Sequence, residues 1–378
     1  MPLAIVSVTN DLTTDQRVDR TCQALVKSGY EVLLVGRRRK NSATLKPRSY
    51  RVHRLRLLFE KGPWFYAEYN VVLFFYLLVH RSLLLVSNDL DTLAAVYLAA
   101  RLKTLRIPSH PGKQAIRHIH DCHEYFRGVP ELVGRKTVTK VWKWIEDRIF
   151  PRLEHVMAVN NSVAGLYAKE YGNKITVIRN VPFRKSLSCP VNKATLKIRD
   201  DQKVILYQGA VNIDRGLEEA ILAMKHLETD AILVIAGTGD IFDTLKIFIA
   251  ENGLTEKVRL TGEVPFQELH SLTLMADLGL SIEKDVSINY HYCLPNKFLD
   301  YIQANIPVLV SPFPEMKSIV DKYVIGDFVE SHQPESLAVK MDSILKDHDR
   351  YIKYKKNLLK AAEELCWENE EKSLLLML

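Results

Sequence analysis

Lys297 and Asp300 stand three residues apart behind Pro295-Asn296, where a proline marks a helix entrance and the spacing puts both on one face. A lysine in a first turn is opposed by the helix dipole unless an anion shares the site. Lys297 therefore suits a phosphate, Asp300 suits ribose hydroxyls, and the two should reach one ligand. On this reading Lys297→Ala slows chemistry and leaves folding nearly untouched, as an exposed substitution does. Upstream, Leu206-Tyr-Gln-Gly-Ala-Val-Asn-Ile-Asp-Arg-Gly-Leu217 reads as strand, small-residue turn and helix. Gly209 and Ala210 let backbone approach a ligand, the helix start offers N–H groups to an anion, and Arg215 can grip a diphosphate with paired hydrogen bonds. Gly237-Thr-Gly-Asp240 and Thr261-Gly-Glu-Val-Pro265 follow two further strands. The backbone from Gly262 to Val264 can read a base edge.

The first half carries a second set. Asp89-Leu-Asp91 has the D-x-D spacing that can hold a divalent metal, although Asn88 or Asp89 also reads as a helix N-cap. His118 and His120 alternate along a strand, so they share a face. With Asp121 and His123 they suggest zinc, but no second ligand cluster supports it. His123 and Glu124 lie just past that strand, where an open parallel sheet binds its ligands.

The elements that position these residues follow an α/β plan. Strands are expected at Leu3–Val8, Glu31–Val35, Leu83–Ser87, Ala115–His120, His155–Val159 and Ile175–Ile178, with a helix at Arg17–Ser28 closed by Gly29. In the second half they are expected at Val204–Gln208, Ala231–Ala236, Lys257–Leu260, Leu278–Ile282 and Pro307–Ser311. Helical patterns such as Leu217–Leu227 and Asn296–Ala304 separate them, and Asn305 ends the latter in a position favouring left-handed geometry. Strands alternating with helices imply βαβ units and parallel sheets. The 378 residues suit two domains, with a linker around 181–200.

Charge is unevenly spread. Residues 1–180 carry 29 Lys/Arg against 15 Asp/Glu, and the remainder carries 23 against 30. The cluster Arg37-Arg-Arg-Lys40 with Arg51, Arg54 and Arg56 can lie against anionic lipid headgroups or be a solvated loop. No nucleic-acid motif accompanies it. The apolar run Val71–Val79 is too short to span a bilayer and reads as a buried or interfacial helix. The start lacks the pattern of a signal peptide, and five scattered cysteines, Cys22, Cys122, Cys189, Cys293 and Cys366, fit a reducing compartment. A cytoplasmic protein, peripheral at the inner face of the membrane, is the expected location.

In Tyr207-Gln-Gly209 with Arg215-Gly216, Ile235-Ala-Gly-Thr-Gly-Asp240, Thr261-Gly-Glu-Val-Pro265 and Pro295-Asn-Lys-Phe-Leu-Asp-Tyr301, the chain resembles retaining glycosyltransferase family 4. Asn10-Asp11 with Arg17-Val18, Ser87-Asn-Asp-Leu-Asp91, His120-Asp-Cys-His-Glu-Tyr125 and Trp367-Glu-Asn-Glu-Glu371 extend the resemblance over nearly the whole sequence. It implies the GT-B fold, two Rossmann-like doubly wound parallel-sheet domains facing a central cleft. Residues 1–182 with the helix at about 363–378 would form the acceptor side, and 183–362 the donor side. The implied activity moves a sugar from a nucleotide-sugar donor, UDP-sugar favoured, to a hydroxyl of a glycan or lipid-linked glycan, with retention and without metal or other cofactor. Arg215, Lys297 and His123 would be catalytic. Gly209, Ala210, Gly237, Gly262, Val264, Tyr292, Asn296 and Asp300 would bind the donor. Asn10, Arg17, Asp89, Asp91, Asp121 and Glu124 would line the acceptor side. The sequence departs from the family at Tyr292, where a paired-glutamate signature places a carboxylate, at Ala210, where an arginine is usual, and at Arg17, where many relatives carry histidine. Two alternatives stay open: a catalytically silent relative that binds nucleotide or glycan as a subunit, and a sugar-nucleotide epimerase.

Overall fold

The computed structural model describes residues 1–13, 15–106, 116–129, 132, 135–188, 191 and 193–378. Ala115 and Cys189 lie outside them. The chain divides into two compact units, Met1–Asn180 with Glu370–Leu378, and Val181–Asn369.

The first unit begins with β1 (Leu3–Ser7), α1 (Gln16–Lys27), β2 (Glu31–Arg38) and β3 (Arg51–Arg56). It continues through α2 (Gly62–Val79), β4 (Leu84–Asn88), α3 (Leu90–Arg106) and β5 (Arg117–Cys122). It closes with α4 (Lys136–Ile149), β6 (His155–Ala158), α5 (Asn161–Tyr171) and β7 (Ile175–Val177). The strands form one sheet in the order β3-β2-β1-β4-β5-β6-β7, and every pairing is parallel. The chain reverses direction of travel between β1 and β4, so the segments after these two strands flank the switch point where such sheets bind ligands.

Local chemistry sets the boundaries. The Asp15 side chain accepts from the Val18 N–H to start α1, and Gly29 beyond its end has φ +86°. Arg51–Arg56 was not anticipated as a strand. It pairs with β2 from Leu33↔Arg51 to Arg38↔Arg56, so much of the basic stretch is regular edge structure rather than a solvated loop. Charged side chains blunt such an edge against further pairing.

The second unit contains β8 (Lys203–Gln208), α6 (Leu217–Ala223), β9 (Ala231–Ala236), α7 (Phe242–Glu251) and β10 (Val258–Gly262). Next come α8 (Phe266–Thr273), β11 (Leu278–Ser281), α9 (Ile288–His291), α10 (Asn296–Gln303) and β12 (Val308–Val310). The unit ends with α11 (Pro314–Tyr323), β13 (Gly326–Phe328), α12 (Pro334–Lys346) and α13 (His348–Glu364). Its sheet runs β10-β9-β8-β11-β12-β13, again wholly parallel. The short edge strand β13 was also unanticipated. Helix α6 stops at Ala223, short of Leu227, whereas α10 ends at Gln303 with Asn305 at φ +59°.

Helix α14 (Trp367–Leu375) carries the chain from the second unit back to the first. Trp367 is buried, and its N–H donates to the Pro182 carbonyl at 2.8 Å. One turn later, Glu370 accepts from the Arg179 backbone and guanidinium at 2.9 and 2.7 Å, and Lys27 meets Glu371 at 2.8 Å.

Candidate functional site

In the second unit the loops after β8, β9 and β10 are sewn together at the carboxyl end of the sheet. Gly209 N–H donates to Ala236 O, Gly237 N–H to Gly262 O, and Val211 N–H to Thr238 O, all at 2.9–3.0 Å. Gly237 adopts φ +141°, and a Cβ there would stand 1.9 Å from Gly209 O. Glycine is required for this contact, which lays Gly209, Ala210, Gly237 and Gly262 side by side. Val264 follows two residues on.

Glu283, one residue beyond Ile282, organises the charges beside these loops. Its carboxylate forms an ion pair with Lys297 and lies 3.5 Å from Arg215 Nη1. Ser281 Oγ donates to its other oxygen at 3.0 Å, and Ser311 Oγ to its carbonyl at 2.5 Å. Side-chain exposure is 0% for Glu283, 8% for Lys297 and 20% for Arg215. Burial opposes both charges of the pair. Lys297 nonetheless holds Glu283 below the usual carboxylate range, and Glu283 raises Lys297. Aromatic faces complete the frame, with Lys297 Nζ 4.5 Å from the Tyr207 ring centre and the Arg215 guanidinium 4.6 Å from that of Tyr290. Burial, then Glu283, pushes the nearby Cys293 thiol up to about 12, which leaves it unreactive near neutrality.

Two expectations need correction. Lys297 is neither exposed nor lone, because Glu283 partners it. Nor do Lys297 and Asp300 share a partner within the unit. Asp300 pairs with Lys185 at 2.8 Å and accepts from Gln208 Nε2 at 3.2 Å. Lys297 lies on Tyr207, and successive residues of β8 point to opposite faces, so the two charges meet different partners. Helix α6 opens with Glu218 and Glu219, which already answer its dipole, so Arg215 rather than the helix start presents the positive charge. Tyr292 caps α9 and packs edge-on to His291 with ring centres 4.7 Å apart. Asn296 opens α10. Glu283, Lys185, Gln208 and Tyr290 were missed. Glu283 had a signal, since it directly follows a strand, whereas Lys185 sits in a stretch of indistinct pattern.

In the first unit, a buried chain of charges lies at the carboxyl ends of β4 and β5. Arg17 Nε and Nη2 donate to the two oxygens of Asp121 at 2.9 and 2.6 Å, and Nη1 donates to the Ile178 carbonyl at 2.5 Å. Arg17 is 4% exposed and Asp121 0%, so each fixes the other in place. Asp121 also lies 3.2 Å from His123 Nε2, while Asp89 accepts from the His123 N–H at 2.9 Å and faces Nδ1 at 3.5 Å. Burial alone would lower the His123 pKa, but Asp89 and then Asp121 push it up to about 10. Burial raises Asp121, yet Arg17 and then His123 hold it well below the carboxylate range. Asp91 stands apart, accepting from Thr9 Oγ1 at 2.5 Å, and burial followed by the Asp89 charge lifts it to about 7. The D-x-D carboxylates thus serve different neighbours. Asn10 donates to Asp15 at 2.8 Å, and Glu124 is exposed. His118 and His120 both meet Ser87 Oγ, at 2.8 and 2.9 Å, and burial drives them down to about 3 and about 4. They form a neutral clasp within the sheet.

Two parallel six- and seven-stranded Rossmann-like units with these loops define the GT-B class of glycosyltransferase folds. Residues 190–364 match the family Glycosyl transferases group 1, and residues 15–181 match Glycosyltransferase Family 4. The chain belongs to this family 4 type of glycosyltransferases. An uncharacterised glycosyltransferase of Methanocaldococcus jannaschii is 29% identical over 211 residues, covering 54% of this chain and only 50% of that protein. Among solved structures, a sucrose-phosphate synthase of Thermosynechococcus elongatus superposes with a TM-score of 0.77 at 16% identity, covering 98% of this chain and 97% of that one. The Anabaena protein HepE, solved in complex with UDP, gives 0.72 at 12% identity, covering 99% and 98%. At such identities the likeness is one of fold.

Lys297→Ala should destabilise the second unit by about 3–5 kcal/mol, because it strands a buried carboxylate. Pairing Lys297→Met with Glu283→Gln should recover much of that loss. Denaturant unfolding of the parent and the two variants decides it, and a single variant as stable as the parent would contradict the geometry. For His123, a raised pKa contributes stability that is complete below its unfolded value and lost as pH rises through about 10. Its ring resonances should therefore stay at the protonated position from about pH 6 to 8.5. An NMR titration with a midpoint near 6.5 would contradict the double carboxylate contact.

Proposed function

We propose that this chain transfers a sugar from a nucleoside-diphosphate donor to a hydroxyl of a glycan or lipid-linked glycan, retaining anomeric configuration and using no metal. The observation that carries the reading is the pair of cations, Lys297 and Arg215, gathered on one buried carboxylate beside three loops joined at Gly237, where only glycine fits. One carboxylate against two cations leaves about one net positive charge, facing where a diphosphate would lie. HepE was solved with UDP, and uridine is the favoured base here.

In the proposed reaction the acceptor oxygen bonds to the anomeric carbon on the face from which the diphosphate departs. The bond from that carbon to the phosphate oxygen breaks with its electron pair on the diphosphate, which takes up the hydroxyl proton. Arg215 and Lys297 stabilise the departing charge. Asp300 exchanges its Lys185 contact for the ribose hydroxyls, and the Gly262–Val264 backbone meets the base. In the first unit His123, held as a cation by Asp89 and Asp121, donates hydrogen bonds to the sugar and does not serve as a base. Asn10, Asp91 and Glu124 receive the acceptor. Ala210 and Tyr292, which replace charged family residues, favour a second reading as a silent nucleotide-binding relative.

Release of nucleoside diphosphate from a panel of UDP-, GDP- and ADP-sugars, with chelator present, separates the two. Turnover with one donor is expected. Arg215→Ala should cut it by about 100- to 1,000-fold, with a smaller loss of stability than Lys297→Ala because Lys297 still pairs with Glu283. A parent chain inert toward every donor, yet stabilised by a nucleoside diphosphate, would establish the silent reading.

A further inference from the structure

Helix α2 has one charged residue in 18, Glu68, whose carboxylate accepts from the backbone N–H groups of Leu58 and Phe59. Phe65, Tyr69, Leu73 and Leu77 bury one stripe of it against the sheet. The opposite stripe is apolar apart from Glu68 and stands in solvent, with Trp64 at 71% exposure, Val71 at 56%, Phe75 at 61% and Val79 at 76%. A helix apolar on nearly all sides belongs in a core or at an interface, and an exposed apolar strip of this size marks an interaction surface. It does not stand alone. α2 packs on α3 and α3 on α4, and these carry exposed Leu98, Leu102, Val141 and Trp144.

Charge identifies the occupant. Lys61 and Arg81 sit at the two ends of α2, and Arg101, Lys136, Lys140 and Arg148 lie on the exposed faces of α3 and α4. Arg148 stacks on Trp144 with its guanidinium carbon 4.0 Å from the ring centre. A second copy docked on this face about a two-fold axis would bring these cations against their own images. Anionic headgroups would neutralise them instead, while the apolar stripe enters the acyl boundary and Trp64 and Trp144 rest at the headgroup level. Among the described residues no helix is long and apolar enough to cross a membrane, so the contact is one of lying on the surface. Over the 16 residues from Trp64 to Val79 the stripe is about 22 Å long.

We propose that the α2–α3–α4 face is a docking surface for an anionic lipid bilayer, with the exposed stripe of α2 inserted and the flanking lysines and arginines on the headgroups. This differs from a contact made by the basic segment Arg37–Arg56 alone, which salt would abolish. It rests on the proposed transfer only in that a lipid-linked acceptor would reside in the same bilayer.

Flotation with vesicles of phosphatidylcholine, with and without phosphatidylglycerol, tests it in low salt and in about 0.5 M salt, where exposed charges are screened beyond about 4 Å. The full chain should float with the anionic vesicles and retain part of that binding in high salt. Val71→Asp with Phe75→Asp should weaken binding by about tenfold or more and remove the salt-resistant part, with an unchanged melting curve. Release of nucleoside diphosphate in solution should be the same in parent and variant, so failure of either idea shows separately. Equal flotation of parent and variant, binding that vanishes entirely in high salt, or a concentration-dependent dimer that the substitutions break would each overturn the proposal, the last in favour of a second copy.

Discussion

A carboxylate taken out of water stays charged only if its surroundings replace the lost solvation. Glu283 meets that demand with the Lys297 ammonium, the Arg215 guanidinium and the Ser281 hydroxyl, and Ser311 ties its backbone. The consequences reach across the unit. Lys297 is fixed in the first turn of α10, a place where the helix dipole opposes it. Arg215 is drawn from the loop before α6 toward β11. Tyr207, at the end of β8, presents its ring to Lys297 and donates its hydroxyl to Ala210 O at 2.6 Å. The glycine contacts between loops then set the backbone around a cation pair that is already in place. Such preorganisation matters because groups that need not reorient give the most stabilisation to charge that develops in a reaction.

The first unit uses the same physics to a different end. Arg17 neutralises Asp121, and the remaining field of Asp121 and Asp89 keeps His123 protonated. Both units thus place a buried ion pair at the carboxyl end of a parallel sheet. In the second unit cations are in excess, whereas in the first His123 and Arg17 face Asp89, Asp121 and the partly protonated Asp91. The contrast suits a diphosphate in one and hydroxyls in the other. Arg17 grips Asp121 through two hydrogen bonds, which an imidazole could not supply.

Much of this was legible in the residues. The strands of both sheets, apart from β3 and β13, show as apolar runs between helical patterns, because buried parallel strands are apolar on both faces. Strand β3 escaped because an edge strand dressed with arginines does not read as apolar, and β13 because three residues carry too little pattern. The loops holding Gly209, Gly237 and Gly262 were visible from glycine after strand. The partners of Lys297 were not. Spacing within α10 placed Asp300 on its face, but tertiary contacts assigned Asp300 to Lys185, and assigned Lys297 to a carboxylate 14 residues earlier, just past the end of β11. Helical spacing reports which residues share a face and cannot report what the facing strand supplies.

On the proposed reading, the Glu283-anchored cations are where a donor diphosphate binds. A crystal structure of the chain with UDP tests it most directly. Diphosphate oxygens are expected within hydrogen-bonding reach of both Lys297 Nζ and the Arg215 guanidinium, about 2.7–3.2 Å, against the Gly209–Ala210 loop. Diphosphate bound instead among the basic residues of the first unit, with the Lys297–Glu283 pair untouched, would contradict it.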